Sequence, residues 1–309
     1  MRRAAAAAVF LVAMIVGAEA APGWRTAEPL EFGRAYLAAA SLRDDIYVVG
    51  GGGILGPRND VDAYDVVADH WRPMTPLPEA LERFGLAAGP ATLFISGGLA
   101  NEGRAVSEVW KMTPGVNSRW TPLPALPAAR AGHAMVWIND ALYIIGGLGE
   151  NADRILRLGV DDEDWRVVGR LPESRSDIAA VAVGRDIYAI GGLSKMGGAS
   201  RRVDVFDTRA GEVRRGPSLP DGRAGHVAAN LGGVVHVAGG RTTQPERTLA
   251  SHLKLAPGGA WTTEAELLTA RYAPAGAVAQ GSWYVFGGGA GGGFLTVFTA
   301  TDAVEIYQP

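Results

Sequence analysis

The sequence predicts an all-β chain: six sheets of four antiparallel strands in a ring, with the first strand of the chain pairing into the last sheet. Three observations carry that prediction. A glycine doublet recurs at Gly50-Gly51, Gly97-Gly98, Gly146-Gly147, Gly191-Gly192, Gly239-Gly240 and Gly287-Gly288, spaced 47, 49, 45, 48 and 48 residues apart. A period of that size marks a repeat architecture. Other landmarks keep step with it: 26 residues before each first glycine stands Trp24, Trp71, Trp120, Trp165, Val213 or Trp261, and six residues after each of these a leucine, Leu30, Leu77, Leu126, Leu171, Leu219 or Leu267. The two ends are incomplete in complementary ways, because Trp24 and Leu30 have no doublet before them and the last doublet has no tryptophan after it. Together they make one repeat, as a closed ring requires, and closure removes the exposed edges of an open sheet array.

The elements follow in order. Residues 1–20 read as a secretory signal peptide: Arg2 and Arg3 precede an uncharged apolar run over 4–16, and Ala18-Glu19-Ala20 offers small residues to a signal peptidase. The run is shorter than the roughly 20 residues of a membrane span. Residues 21–309 then form one domain, expected in the periplasm or outside the cell. Each doublet ends an apolar run with a ring three residues ahead of its first glycine, at Tyr47, Phe94, Tyr143, Tyr188, His236 and Tyr284. These runs read as strands, and the glycines as the point where the backbone turns or meets a neighbour closely.

In the third unit the four strands are expected at 132–138, 142–145, 154–158 and 165–168, with Asn139-Asp140 as the first turn. Third strands elsewhere are expected at Val61–Asp65, Val109–Met112, Val203–Asp207 and 249–255, and no stretch has sustained helical periodicity. Tryptophans and doublet-linked rings are expected between sheets, where each ring buries on the order of 150–250 Å². Val213 should leave its own interface less filled.

Composition bounds the function. The 309 residues are 48% apolar with no cysteine, so no disulfide, lipoprotein anchor or copper–thioether cofactor can form. Loss of the signal peptide moves the net charge from -3 to -4, which gives no reason to expect nucleic acid or an anionic membrane as partner. His70, His133, His226, His236 and His252 show no metal-ligand spacing, and no cofactor is expected.

A repeated arginine follows each leucine, at Arg34, Arg83, Arg130, Arg175, Arg223 and Arg271. It stands ten residues past the landmark in five units and is displaced by two in the second. Moving in phase with packing residues, these read as buried stitches between backbones. The residues that vary between units point to a ligand instead. With strands running alternately up and down, the loop after each doublet and the segment leading into the next first strand open on one face. There Arg58, Arg104, Arg154, Arg241 and Arg247 supply charge, Tyr36 and Tyr272 stacking surfaces, and Asp177 and Glu150 carboxylates. Such a set suits a carboxylate-bearing sugar or peptide. The loop 287–293, all glycine but for Ala290, lacks the strand-to-helix context of a phosphate loop and reads as mobile.

The doublet closing the second strand, the spaced rings and the tryptophan of the fourth strand resemble the kelch repeat over residues 24–309. The resemblance implies a six-bladed β-propeller, a fold that hosts many functions. Among exported kelch propellers the chain is distantly similar to the sialic-acid mutarotases, or N-acetylneuraminate epimerases, which implicate an acid beside the doublet and an arginine some six residues on. Arg58, Arg104, Arg154 and Arg247 match the arginine, but Gly52, Leu99, Leu148, Leu193, Arg241 and Gly289 stand where the acid should be. Kelch-bearing galactose oxidases need a cysteine-linked copper site and are excluded. The expected function is therefore a binding module presenting one face to a protein, peptide or glycan, acidic ones included. A metal-free periplasmic carbohydrate mutarotase is the alternative.

Overall fold

The computed structural model describes residues 22–291 and 295–309. The signal-peptide expectation, and residues 292 and 293 of the glycine-rich loop, lie outside the described residues. Six four-stranded antiparallel sheets follow one another along the chain. Blade 1 is Ala38–Leu42, Asp45–Val49, Val61–Asp65 and His70–Pro73; blade 2 is Gly85–Ala88, Leu93–Ser96, Val109–Met112 and Thr121–Leu123. Blade 3 is Ala134–Ile138, Ala141–Ile145, Arg154–Gly159 and Arg166–Arg170; blade 4 is Ala179–Val183, Asp186–Ile190, Val203–Asp207 and Glu212–Arg215. Blade 5 is Val227–Leu231, Val234–Ala238, His252–Leu255 and Trp261–Glu264. Blade 6 takes Ala275–Ala279, Ser282–Phe286 and Val304–Gln308 from the end of the chain and Gly23–Ala27 from its beginning.

The closing pair runs antiparallel with Trp24 opposite Tyr307 and Ala27 opposite Val304. First strands of neighbouring blades pack against one another all the way round, blade 6 against blade 1 included. The chain is thus an all-β, six-bladed propeller. The third strand of blade 5 is shorter than expected, because Glu246–Thr248 turns back on Arg241–Thr243 as a separate hairpin.

The doublet builds the seam between blades. In every unit the second glycine donates its N–H to the backbone carbonyl ten past the next unit's landmark, for example Gly147 to Arg175 at 2.7 Å and, across the closure, Gly288 to Arg34 at 2.8 Å. The first glycine lies against the same carbonyl. At Gly97 (φ 55°) an added Cβ would sit 2.3 Å from the Arg130 oxygen, so backbone approach rather than turn propensity fixes the residue type there.

The arginine stitch holds in five units. Arg34, Arg130, Arg175, Arg223 and Arg271 are buried, and each donates Nη1 to the first glycine carbonyl of its own doublet at 2.9–3.4 Å. The other guanidinium edge reaches the third strand or the loop before it. Its partners are Asp62, the Asn151 carbonyl, Asp204, the Ser251 hydroxyl and Glu305. The stitch therefore ties strands within one blade, while the doublet ties blade to blade.

Tryptophans make a second inter-blade link. The indole N–H groups of Trp24, Trp71, Trp120, Trp165 and Trp261 donate to the carbonyls of Ala265, Glu28, Thr75, Pro124 and Pro217, each in the segment joining the preceding blade. Blade 4 has Val213 in this place, yet its interface is filled, contrary to the expectation from sequence. Phe206, paired opposite Val213, is buried and occupies the space where a Cβ on Gly169 would meet its ring at 2.8 Å.

Candidate functional site

The residue twelve past each landmark forms a ring about the propeller axis: Tyr36, Arg83, Gly132, Asp177, Gly225 and Ala273. All six adopt φ between 47° and 61°. Four carry side chains in this left-handed region, at a cost of order 1 kcal/mol each. Backbone bonds hold them there. Tyr36 donates its N–H to Ala273, Arg83 to Tyr36, Gly132 to Arg83, Gly225 to Asp177 and Ala273 to Gly225, all at 2.7–3.0 Å. The left-handed turn aims each side chain inward, onto the mouth of the channel.

There the side chains meet. Arg83 reaches across the axis to both oxygens of Asp177 at 3.0 and 3.1 Å, and Tyr272 donates its hydroxyl to the same carboxylate at 2.6 Å. The Arg83 guanidinium lies 3.8 Å over the Tyr36 ring, and Tyr36 meets Tyr272 edge-on at 5.7 Å. Arg241 covers Tyr272 at 4.7 Å and bonds Glu246 at 2.6 Å. Val297 and Ala300, from the end of the last post-doublet segment, pack over Ala35, Tyr36, Tyr272 and Ala273.

Charge and burial set the protonation states. Burial pushes the Tyr272 hydroxyl far above its usual range, and the Asp177 charge adds to this. Tyr36 is raised for the same first reason. Burial disfavours the Arg83 cation most, but Asp177 together with Tyr36, Tyr272 and Glu82 outweighs it and holds the group charged. Glu82, with a carboxyl oxygen 4.0 Å from the Arg83 Nε, is also raised, first by burial and then by Asp177 against the pull of Arg83. Beneath the ring is a cavity of about 110 Å³ lined in part by His133 and His226, which burial lowers to about 3 and keeps neutral.

Four of the sequence-derived site residues are thus brought together: Tyr36, Asp177, Arg241 and Tyr272. The two tyrosines are not open stacking surfaces, however, since Tyr36 is 7% exposed and Tyr272 0%, each spent on its neighbours. The other five lie apart from the axial cluster. Arg58 bonds Asp60 at 2.7 Å and rests 4.6 Å over Phe32; Arg104 pairs with Glu79; Arg154 is half-buried with its carbonyl bonded by Arg130. Arg247 is exposed, and so is Glu150, which accepts from Asn151 at 2.9 Å.

Sequence reasoning missed Arg83 and Glu82. Arg83 is no stitch: Leu81 occupies the stitch position, and Arg83 stands in the axial ring. The two-residue displacement of the arginine in the second unit was the visible signal.

Beyond the closed centre, the same face is apolar at its rim. Of the large apolar side chains that are exposed, Phe32, Ile54, Leu55, Leu148, Met196, Leu295 and Phe298 all sit on post-doublet loops or lead-in segments. Leu55 is 93% and Met196 94% exposed. Phe32, Ile54, Leu55 and Arg58 border a groove of about 680 Å³ between the segment leading into blade 1 and that blade's post-doublet hairpin.

Comparison with known proteins agrees with this architecture. A family model of the Kelch motif matches residues 33–78 and 174–220. Kelch-like protein 35 of Mus musculus is 24% identical over 208 residues, covering 67% of this chain and 36% of its own length. Kelch-like protein 34 of Homo sapiens is 28% identical over 267 residues, 81% of this chain and 33% of its own. Kelch-like protein 33 of Homo sapiens is 34% identical over 121 residues, 38% and 22% respectively. The chain thus spans about a third or less of the length of these relatives. Among solved structures, that of YjhT superposes with a TM-score of 0.78 at 19% identity, covering 91% of this chain and 96% of its own, a likeness of fold.

Proposed function

We propose that this kelch-repeat propeller is an exported binding module whose post-doublet loop face takes a protein partner. The observation that carries the reading is the crowding of exposed apolar side chains onto that face, around a centre that is closed. Apolar exposure rimmed by charge is characteristic of a protein contact surface. The axial cavity of about 110 Å³ is well below the roughly 300 Å³ at which small-molecule pockets begin. Arg247, exposed at the rim and in no ion pair among the described residues, favours a partner with a carboxylate to pair with it. Export rests on the character of residues 1–20.

The test compares capture from a periplasmic extract by three proteins: the wild type, an Ile54→Ser, Leu55→Ser, Met196→Ser variant, and a Val67→Ser, Val116→Ser variant altered on the opposite face. All five positions are exposed, so all three should fold alike. A partner held by the wild type and the second variant but lost from the first supports the reading. A partner lost only from the second contradicts it.

One observation favours the carbohydrate mutarotase as a second reading: a carboxyl whose protonated form burial favours, Glu82, sits beside the Arg83 cation at the channel mouth. Anomer exchange of sialic acid followed by NMR, with Glu82→Gln as control, separates the two. Exchange in wild type that is lost in the variant would favour the enzyme.

A further inference from the structure

On the face opposite the post-doublet loops, a cleft of about 410 Å³ opens between blades 2 and 3, within the size range of small-molecule sites. Its blade 2 wall carries Phe94, Leu123 and Lys111, and its blade 3 wall Trp137, Leu142 and Leu158. Phe94 and Trp137 lie parallel, 7° apart with centroids at 5.1 Å. Trp137 breaks the repeat. The residues in its place, nine before the first glycine of the doublet in each other blade, are Ser41, Ala88, Ala182, Asn230 and Val278. A tryptophan there adds a large ring to the channel-side strand, and still the cleft stays open.

The charges around this cleft differ from those of its counterparts. The cleft between blades 4 and 5 has Arg214 paired with Asp186, and that between blades 5 and 6 has Lys254 paired with Glu264. Between blades 2 and 3, Asp162 is held by Arg157 and Arg166. Lys111 on one wall and Asp140 on the other make no ion pair among the described residues, and both are exposed. An unpaired cation and an unpaired anion thus flank an aromatic floor.

We propose that this cleft binds a small aromatic zwitterion, of the class of an aromatic amino acid. The ring lies against Trp137 and Phe94, the carboxylate faces Lys111, and the ammonium faces Asp140. Ring-on-ring contact supplies most of the attraction. The charges select, because each exposed pair contributes little by itself. The site is independent of the loop face and of whatever partner that face takes.

The probe is L-phenylalanine, titrated into the full chain while the tryptophan indole N–H signals are followed by NMR. Saturable binding with a Kd of about 0.1–1 mM is expected, moving one indole signal that is absent from the Trp137→Phe protein. Lys111→Met and Asp140→Asn should each weaken binding about two- to fivefold. Phenethylamine and 3-phenylpropionate, each lacking one charge, should bind the wild type more weakly by a similar factor. Because Lys111 and Asp140 are exposed and unpaired, these variants fold irrespective of how Trp137 variants behave. Absence of saturable binding, equal binding of L-phenylalanine by wild type and both charge variants, or equal binding of uncharged phenethyl alcohol would each overturn the proposal.

Discussion

Replacing Arg83 by Met should destabilise the propeller more than any exposed arginine does, although Arg83 itself is partly open to solvent. The Asp177 side chain is 4% exposed and receives two hydrogen bonds from Arg83 and one from Tyr272. Removing the guanidinium leaves a buried carboxylate with one neutral donor. Breaking a buried pair in this way costs about 3–5 kcal/mol. The Arg83 side chain is 22% exposed, which places the expected loss near the lower end, about 3 kcal/mol. Asp177→Asn keeps an acceptor for Tyr272 but loses the charge, and should cost about 1.5–3 kcal/mol. The double variant should lose less than the sum of the two, with a coupling of about 1–3 kcal/mol. Arg58→Ala, whose pair with Asp60 is only half-buried, should cost less than about 1 kcal/mol. Urea unfolding of the four proteins against wild type measures all of these. Independent effects in the double variant, or an Arg83→Met protein as stable as Arg58→Ala, would refute the axial pair as a strut across the ring.

Stability should fall as pH drops below about 6.5, where an unfolded histidine takes up its proton. His236 and His252 are held at about 4 and His133 and His226 at about 3, in each case chiefly by burial. The unfolded chain therefore binds protons first, and the stability these groups contribute above pH 6.5 is lost toward pH 4, at up to about 1.4 kcal/mol per pH unit per histidine. Urea midpoints unchanged between pH 7 and pH 5 would show that these histidines are not buried neutral. Deleting Gly23–Ala27 opens the ring and removes Trp24 from its contacts with Trp283 at 5.5 Å and Tyr307 at 5.3 Å. The loss of its half-buried ring alone should cost about 2–3 kcal/mol, and a truncated protein melting with the wild type would disprove closure by this strand. Val213→Trp, which restores the repeat, should destabilise by about 1–3 kcal/mol because Phe206 and Gly169 already fill the interface; a higher melting temperature would contradict that packing.

The scaffold was readable because its residues answer to constraints repeated six times. A doublet whose first Cβ would strike a carbonyl, and an indole that must reach the previous blade's connection, leave the same mark in every unit. Compensation left no such mark. Nothing periodic announces that Phe206 replaces a missing indole, since the substitution lies in another strand and depends on Gly169. The site was legible only in part for a related reason. Tyr36, Asp177 and Tyr272 could be placed at the axis from their phase, but burial by Val297 and Ala300 comes from a segment with no counterpart in the other units. Arg83 was hidden by resemblance to five true stitches, and its two-residue displacement carried the information that Leu81 had taken the buried place.

The most direct test of the central claim places a photo-reactive residue at Leu55 or Met196 on the loop face, and in parallel at Val67 or Val116 on the opposite face, all four positions being exposed. Irradiation in the living cell then traps whatever protein lies within reach. The account predicts one discrete cross-linked protein from Leu55 and Met196 and none from Val67 and Val116. A discrete product only from Val67 and Val116 would contradict it.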